Sequence, residues 1–365
     1  MTSPVVVLAL GTRPEAIKMA PVYGALRQER LIPKVLVSGQ HGDQITSVLR
    51  LFNVPADKKL DVLVQGQSLT ELAARILPST AAALREMEAN YVLVHGDTLT
   101  TFAVAWAAFL ERIPVGHVEA GLRSGSMTEP FPEEANRILT DVVSDLYFAP
   151  TEGARANLLA EGKPDERIAI TGQTGIDAVL YAANQGDLPV PMPASGKLVT
   201  ITLHRRENWP ILSDLAQALA RTAQEHRDHQ FVWPVHLNPQ VAQAVTPALE
   251  GKPNITVLPP LEYGPMAALL AASRLIVTDS GGLQEEGAAL GIPVAVVRNV
   301  TERPEGLAAG ILTLVGTDPD TVGTRISSLL SDDDRLRRMA ASPNPYGDGH
   351  AADRVAHVLG EHMRS

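Results

Sequence analysis

Thr278-Asp279-Ser280-Gly281-Gly282-Leu283-Gln284-Glu285-Glu286 is the stretch best suited to hold an anion. The apolar run Leu275 to Val277 before it reads as a buried strand. Leu283 to Leu290 after it reads as a helix, stopped by Gly291 and Pro293. The join is Asp-Ser-Gly-Gly. Two glycines let the backbone approach a ligand closely. The first amides of a helix point outward unpaired, and the dipole there favours negative charge. Such a join is a phosphate seat. It is equally a plain serine N-cap with a glycine turn, and the stretch alone does not separate the two.

Other polar clusters end apolar runs in the same half. His204-Arg205-Arg206-Glu207-Asn208 follows Leu198 to Leu203, and His236-Leu237-Asn238-Pro239 follows Phe231 to Val235. Thr301-Glu302-Arg303-Pro304-Glu305-Gly306 follows Val294 to Val297. Together with the serine-glycine-glycine join they describe a diphosphate seat ringed by histidine and arginine. The first half supplies carboxylates. Asp97 lies in His95-Gly96-Asp97-Thr98 and Glu119 in Glu119-Ala120-Gly121. Glu133 and Glu134 lie in Pro132-Glu133-Glu134-Ala135-Asn136-Arg137, where they also read as first-turn acids complementing a helix dipole. Asp97 equally reads as an N-cap, and Glu119 as a partner for Arg123. Arg13 and Lys18 bracket the helix start after Val5 to Leu10, a second anion position. Acids on one wall and an anion seat on the other fit a sugar nucleotide.

These residues need strands to end beside one another. Val5 to Leu10, Val35 to Val37, Tyr91 to Val94 and Ile113 to Val118 are continuous apolar runs, the pattern of strands buried on both faces of a parallel sheet. Helices alternate with them: one after Pro14 with Ile17, Ala20 and Leu26 facing in, and one over Glu71 to Ala89. The alternation fades after Pro150. It resumes at Leu198, with a helix over Leu212 to Glu225 and a strand over Phe231 to Val235. The expected fold is α/β, with two Rossmann-like domains facing across a cleft and ligands at the carboxyl ends of the strands. The first domain spans 1–172 and the second 173–349.

Composition narrows the function classes. The chain has 365 residues, 45% hydrophobic and 20% charged, enough for two packed domains. A net charge of −10 argues against nucleic-acid or anionic-membrane partners. There is no cysteine, so disulfides, thiolate nucleophiles and cysteine-bound zinc are excluded. Met1-Thr2-Ser3-Pro4 lacks the cationic lead of a secretory signal, and no apolar run reaches spanning length, so a cytoplasmic protein is expected. No P-loop signature occurs. Gly347-Asp348-Gly349 follows Pro345-Tyr346 rather than a strand and reads as a turn. No spacing suggests a metal cage, and no nicotinamide seat is present. No cofactor or metal is expected.

The chain resembles the bacterial non-hydrolysing UDP-N-acetylglucosamine 2-epimerases nearly end to end. The stretches that carry the likeness are Gly11 to Glu15, His95 to Thr98, His117 to Arg123, Pro132 to Arg137, His204 to Asn208, Thr278 to Glu286, Thr301 to Pro304 and Asn344 to Gly349. The resemblance implies a glycosyltransferase-B-type fold whose last helix, within 350–365, packs back on the first domain. It implies interconversion of UDP-GlcNAc and UDP-ManNAc, supply of ManNAc units for cell-surface polysaccharide, and a homodimer. Carried over, Asp97, Glu119 and Glu133 are the acid–base set, and His204 sits near the departing diphosphate or C1. Ser280, Gly281 and Gly282 donate to phosphate. Arg13, Lys18, Arg137 and His236 contact substrate, Glu286 binds the ribose hydroxyls, and Arg303 neutralises phosphate. Gln40, His41, Gln67, Arg205 and His236 match parts of a second, activating UDP-GlcNAc position. Gln40-His41-Gly42-Asp43-Gln44 departs from the family's usual pattern there. The rival readings are a glycosyltransferase of the same fold, which needs only one base, and a UDP-sugar binding protein without chemistry.

Overall fold

The computed structural model describes residues 3–39, 42–64, 66–236 and 238–364, with the backbone alone at Gly42 and Asp43. The chain divides into two compact units. One comprises Met1–Ala178 and Gly349–Ser365, the other Val179–Asp348. The division falls inside the helix Thr174–Gln185.

The first unit carries β1 (Val5–Leu10), β2 (Ile32–Val37), β3 (Lys58–Lys59), β4 (Tyr91–His95), β5 (Val115–Val118), β6 (Leu146–Ala149) and β7 (Ile168–Ile170). Their order is β3-β2-β1-β4-β5-β6-β7, and every pairing is parallel. The second carries β8 (Leu198–Thr202), β9 (Gln230–Pro234), β10 (Ile255–Leu258), β11 (Leu275–Thr278), β12 (Val294–Val296) and β13 (Leu312–Leu314). Their order is β10-β9-β8-β11-β12-β13, again all parallel. Each sheet reverses its winding once, between β1 and β4 and between β8 and β11. At such a reversal the flanking connections leave in opposite directions and open a crevice at the strands' carboxyl ends.

The local reasons are visible in the residues. β4 and β8 are buried along their whole length because helices cover both faces of each sheet. In the second unit Phe231 and Trp233 of β9 are fully buried beneath a core that includes Leu215, Leu219, Val322 and Ile326. Each such side chain contributes about 2–3 kcal/mol by leaving water. The helix expected over Glu71 to Ala89 instead spans Leu69–Glu86, because Ser68 and Glu71 form a capping box and start the helix earlier. In the helix Arg13–Gln28, Ala20 and Leu26 are buried as expected. Ile17 is only half-buried, and Met19 takes a core position instead.

The last helix, Ala351–Arg364, is tied down by named contacts within the first unit. Asp177 accepts from the Ala351 and Ala352 amides at 3.3 and 2.8 Å, occupying the orphan donors of the helix start. Arg354 donates to the Thr171 carbonyl at 3.1 Å, and His362 Nε2 lies 2.8 Å from Asp145 Oδ2. Among the described residues, no helix is long and apolar enough to cross a membrane.

Candidate active site

In the first unit, polar side chains gather at the carboxyl ends of β1, β4 and β5. Glu15 is the innermost and is fully committed. One oxygen accepts from the Gly11 and Thr12 amides at 2.9 and 2.5 Å, and the other from the Thr98 and Thr101 hydroxyls at 2.8 and 2.9 Å. It welds two strand-end loops together and has nothing left for a ligand. Thr98, not Asp97, caps the helix Leu99–Leu110, so the N-cap reading of Asp97 falls away. Asp97 instead pairs with Arg137, and Asn136 donates to its carbonyl at 2.9 Å. Its side chain keeps 31% exposure, so it remains reachable.

Glu119 stands at φ +67°, a left-handed conformation that costs a non-glycine residue roughly 1 kcal/mol or more. The turn that follows needs Gly121, at φ +80°, where a Cβ would stand 2.3 Å from the Ala154 carbonyl oxygen. Lys18 Nζ lies 2.5 Å from Glu119 Oε2, and His95 Nε2 lies 3.4 Å from the same oxygen. Burial alone would push the Glu119 carboxyl up. Lys18 and His95 outweigh it and hold the group well below the usual carboxylate range. The alternative tie from Glu119 to Arg123 does not form. Arg123 goes to Glu161 and Asp141, each at 2.7 Å.

Glu133 and Glu134 open the helix Glu133–Val143 and then part ways. Glu134 is buried and accepts from the Ser124 and Gly125 amides at 3.0 Å and from Arg137 at 3.0 Å, so it holds a loop. Glu133 has a buried Oε2 with no hydrogen-bond partner among the described residues. Such an atom is costly unless a ligand or a proton satisfies it. Asp97, Glu119 and Glu133 thus have three different environments: arginine-paired, lysine-paired and unpaired. Arg13 lies half-buried in the first turn of the helix that carries Lys18.

In the second unit the join after β11 differs from its expected form. The helix begins at Gly281, so both glycines lie in its first turn and their amides face outward. Ser280 is the N-cap residue but makes no side-chain capping bond, which leaves its hydroxyl uncommitted to the helix. A Cβ at Gly281 would stand 3.8 Å from Arg205 Nη2 and 4.0 Å from Arg303 Nη2, and none at Gly282 would meet an atom within 4 Å. Two guanidiniums therefore flank an open helix N-terminus, the arrangement a phosphate needs. Arg303 pairs with Glu285, and Arg205 lies 3.6 Å from Glu302.

Asp279, fully buried, anchors the neighbouring loop. It accepts from the His204 amide at 3.1 Å, the Arg205 amide at 3.0 Å and Asn208 Nδ2 at 3.0 Å. His204 stacks on His236 with ring centroids 5.1 Å apart and planes 7° apart. Burial pushes the His204 imidazole below its ordinary value; Asp279 opposes this, and His236 and Arg205 reinforce it. Glu286 accepts from the Tyr263 hydroxyl at 3.3 Å.

Of the second-position residues, Gln40 and His41 lie outside the described residues. Gln67 has a buried Nε2 without a hydrogen-bond partner among the described residues. His226, Asp228 and His229 could together approach a metal ion, but Asp228 is already held by Lys197 at 2.6 Å and His229 at 2.9 Å. Sequence reasoning assigned no role to Asp141, to Asp279 or to Glu134's loop contacts. A signal existed for two of them: Glu134, Arg137 and Asp141 recur at helical spacing and form a polar stripe on one face.

Comparison with known proteins gives concordant likenesses. Residues 25–360 match the family model described as UDP-N-acetylglucosamine 2-epimerase. The UDP-N-acetylglucosamine 2-epimerase of Escherichia coli is 44% identical over 97% of this chain and 98% of its own length. The crystal structure of UDP-GlcNAc 2-epimerase from Neisseria meningitidis bound to UDP-GlcNAc is 39% identical with a TM-score of 0.84, over 98% of this chain and 100% of that one. A further crystal structure of a UDP-N-acetylglucosamine 2-epimerase is 38% identical with a TM-score of 0.90, over 100% of this chain and 98% of that one.

Proposed function

This chain belongs to the UDP-N-acetylglucosamine 2-epimerase family, and on that premise we propose how its residues carry the reaction. The enzyme interconverts UDP-GlcNAc and its C2 epimer, UDP-ManNAc. The C2 proton of the sugar has no adjacent carbonyl to acidify it. The route this donor set supports is elimination: the bond from C1 to the UDP oxygen breaks, a base takes the C2 proton, and a C1–C2 double bond forms. UDP then returns to C1 as a proton is delivered to the other face of C2. The reaction needs acids and bases in distinct protonation states and a stabilised departing diphosphate.

The observation that carries this reading is the trio of carboxylates in unlike environments. Lys18 keeps Glu119 ionised, Asp97 is paired yet reachable, and Glu133 offers a buried, unpartnered oxygen. In the second unit the Ser280-Gly281-Gly282 helix start, Arg303 and His204 receive the diphosphate, with Glu286 on the ribose. Arg13 and Arg137 complete the contacts on the substrate side. Gln67, Arg205 and His236, with Gln40 and His41, serve a second UDP-GlcNAc. The enzyme works in the cytoplasm and supplies ManNAc units for surface polysaccharide.

The test is UDP-GlcNAc alone in deuterated water. Deuterium at C2 together with UDP-ManNAc is expected. Intact, undeuterated UDP-GlcNAc, with turnover appearing only when a sugar acceptor is added, would make the protein a transferase and sink the reading.

The enzyme acts as a homodimer through an apolar face of the first unit. Phe109 and Leu110 of the helix Leu99–Leu110 are 51% and 55% exposed, and Val142 of the helix Glu133–Val143 is 62% exposed. Trp106 stacks on Phe109 at 5.5 Å. A contiguous apolar surface of this kind marks an association site. Phe109→Arg combined with Val142→Arg should convert a dimer into a monomer in light scattering. A wild-type monomer, or a double variant that still dimerises, refutes this assignment.

A further inference from the structure

His117 and Asp141 form a wholly buried pair behind the carboxylates, both 0% exposed. His117 Nδ1 lies 2.6 Å from Asp141 Oδ1, and His117 Nε2 lies 2.7 Å from the Gly96 carbonyl oxygen. A carbonyl can only accept, so Nε2 donates. Burial would raise the Asp141 carboxyl, but His117 and Arg123 outweigh it and lower it. Nδ1 and Asp141 Oδ1 share a hydrogen bond, so the ring bridges two groups from different elements.

The backbone on either side of this bridge belongs to the acid–base set. The Gly96 carbonyl begins the peptide that carries Asp97. His117 lies on β5, two residues before Glu119, and Asp141 Oδ2 accepts from the Gly121 amide at 3.3 Å just beyond Glu119. Arg123 closes the same turn by donating to Asp141 Oδ2 at 2.7 Å. Arg137, one helical turn before Asp141, pairs with Asp97. His117 and Asp141 themselves, both wholly buried, are closed to substrate.

We infer that His117 and Asp141 are a positioning pair that sets the spacing of Asp97 and Glu119, and that their geometry decides how often the glycal intermediate is reprotonated and recaptured rather than lost. The inference rests on the elimination route proposed above. An intermediate that escapes appears as free UDP and 2-acetamidoglucal; one that is recaptured appears as UDP-ManNAc. The ratio of the two products does not depend on how much folded enzyme is present.

The experiment measures free UDP formed per UDP-ManNAc formed, alongside kcat and KM. Asp141→Asn should lower kcat about 10- to 100-fold, with KM within about threefold, and raise the UDP ratio about tenfold. Tyr147→Phe is the matched control. It removes a hydroxyl that donates to the Asp141 carbonyl at 3.1 Å and leaves the pair intact, so it should keep the wild-type ratio even if it melts earlier. Arg123→Gln, which leaves Asp141 Oδ2 only the Gly121 amide, should raise the ratio about threefold. An unchanged ratio in Asp141→Asn overturns the inference, as does an equal rise in Tyr147→Phe. If Asp141→Asn does not fold, an unchanged ratio in Arg123→Gln overturns it. A wild type that neither epimerises nor takes up deuterium at C2 would instead refute the reaction itself.

Discussion

Replacing Asp97 by Asn should lower kcat about 10³-fold while UDP affinity stays within about threefold. The substitution keeps the shape of the side chain and removes its capacity to hold or release a proton in the reaction. Asp97 is 31% exposed and shares Arg137 with Glu134, so losing its charge leaves the guanidinium a partner at 3.0 Å and the unit folded. The residues proposed to hold the diphosphate and ribose, Ser280 to Gly282, Glu286 and Arg303, lie in Val179–Asp348, outside the unit that carries Asp97. The paired measurement is steady-state turnover of UDP-GlcNAc beside calorimetric titration with UDP. Unaltered kcat would remove Asp97 from the acid–base set. Loss of UDP binding along with turnover would mean the substitution acts on folding rather than on chemistry. A UDP-sugar binding protein without chemistry would show no turnover to lose.

Asp279→Ala should cost the second unit about 3 kcal/mol, a drop of roughly 6–12 °C in its melting temperature. Asp279 is fully buried and serves the amides of His204 and Arg205 and the side-chain amide of Asn208 at once. Alanine leaves those donors in a dry site with nothing to accept from them, and desolvation of each goes uncompensated. The loop also carries His204, so UDP should bind about tenfold more weakly, a loss of roughly 1.4 kcal/mol. Asp279→Asn, which keeps one acceptor oxygen, should fall between wild type and alanine. Differential scanning calorimetry with and without UDP reads both effects. A melting temperature within about 2 °C of wild type would show that the loop is held by other contacts.

Much of the candidate site was legible because its residues are local in sequence. Asp97, Glu119, His204 and the Ser280-Gly281-Gly282 join each sit within a few residues of a continuous apolar run. In a doubly wound sheet the strands' carboxyl ends line one edge, so a polar cluster after such a run is already placed beside the other clusters of its own sheet. The two Rossmann-like α/β units follow from the same alternation, their glycosyltransferase-B type was implied by the family resemblance, and both agree with the likenesses to solved epimerases. Helix starts were less well read. The capping box at Ser68 moved one helix start, because a cap depends on which backbone donors a side chain reaches, and the helix after β11 starts at Gly281 with no side-chain capping bond.

The partners of the buried charges were beyond that reach. Asp141 meets His117 across 24 positions, and Asp279 meets His204 across 75. No local pattern distinguishes either aspartate from a solvated one. The chain's residues alone determined the alternation of strands and helices, the polar strand ends and the chemistry they suit, since periodicity and turn formers act over a few residues. Only the tertiary structure decided which carboxylate pairs with a lysine, which with an arginine and which has an orphan oxygen. Those properties arise from burial and from charges a few ångströms away in space, and the sequence does not encode that distance locally.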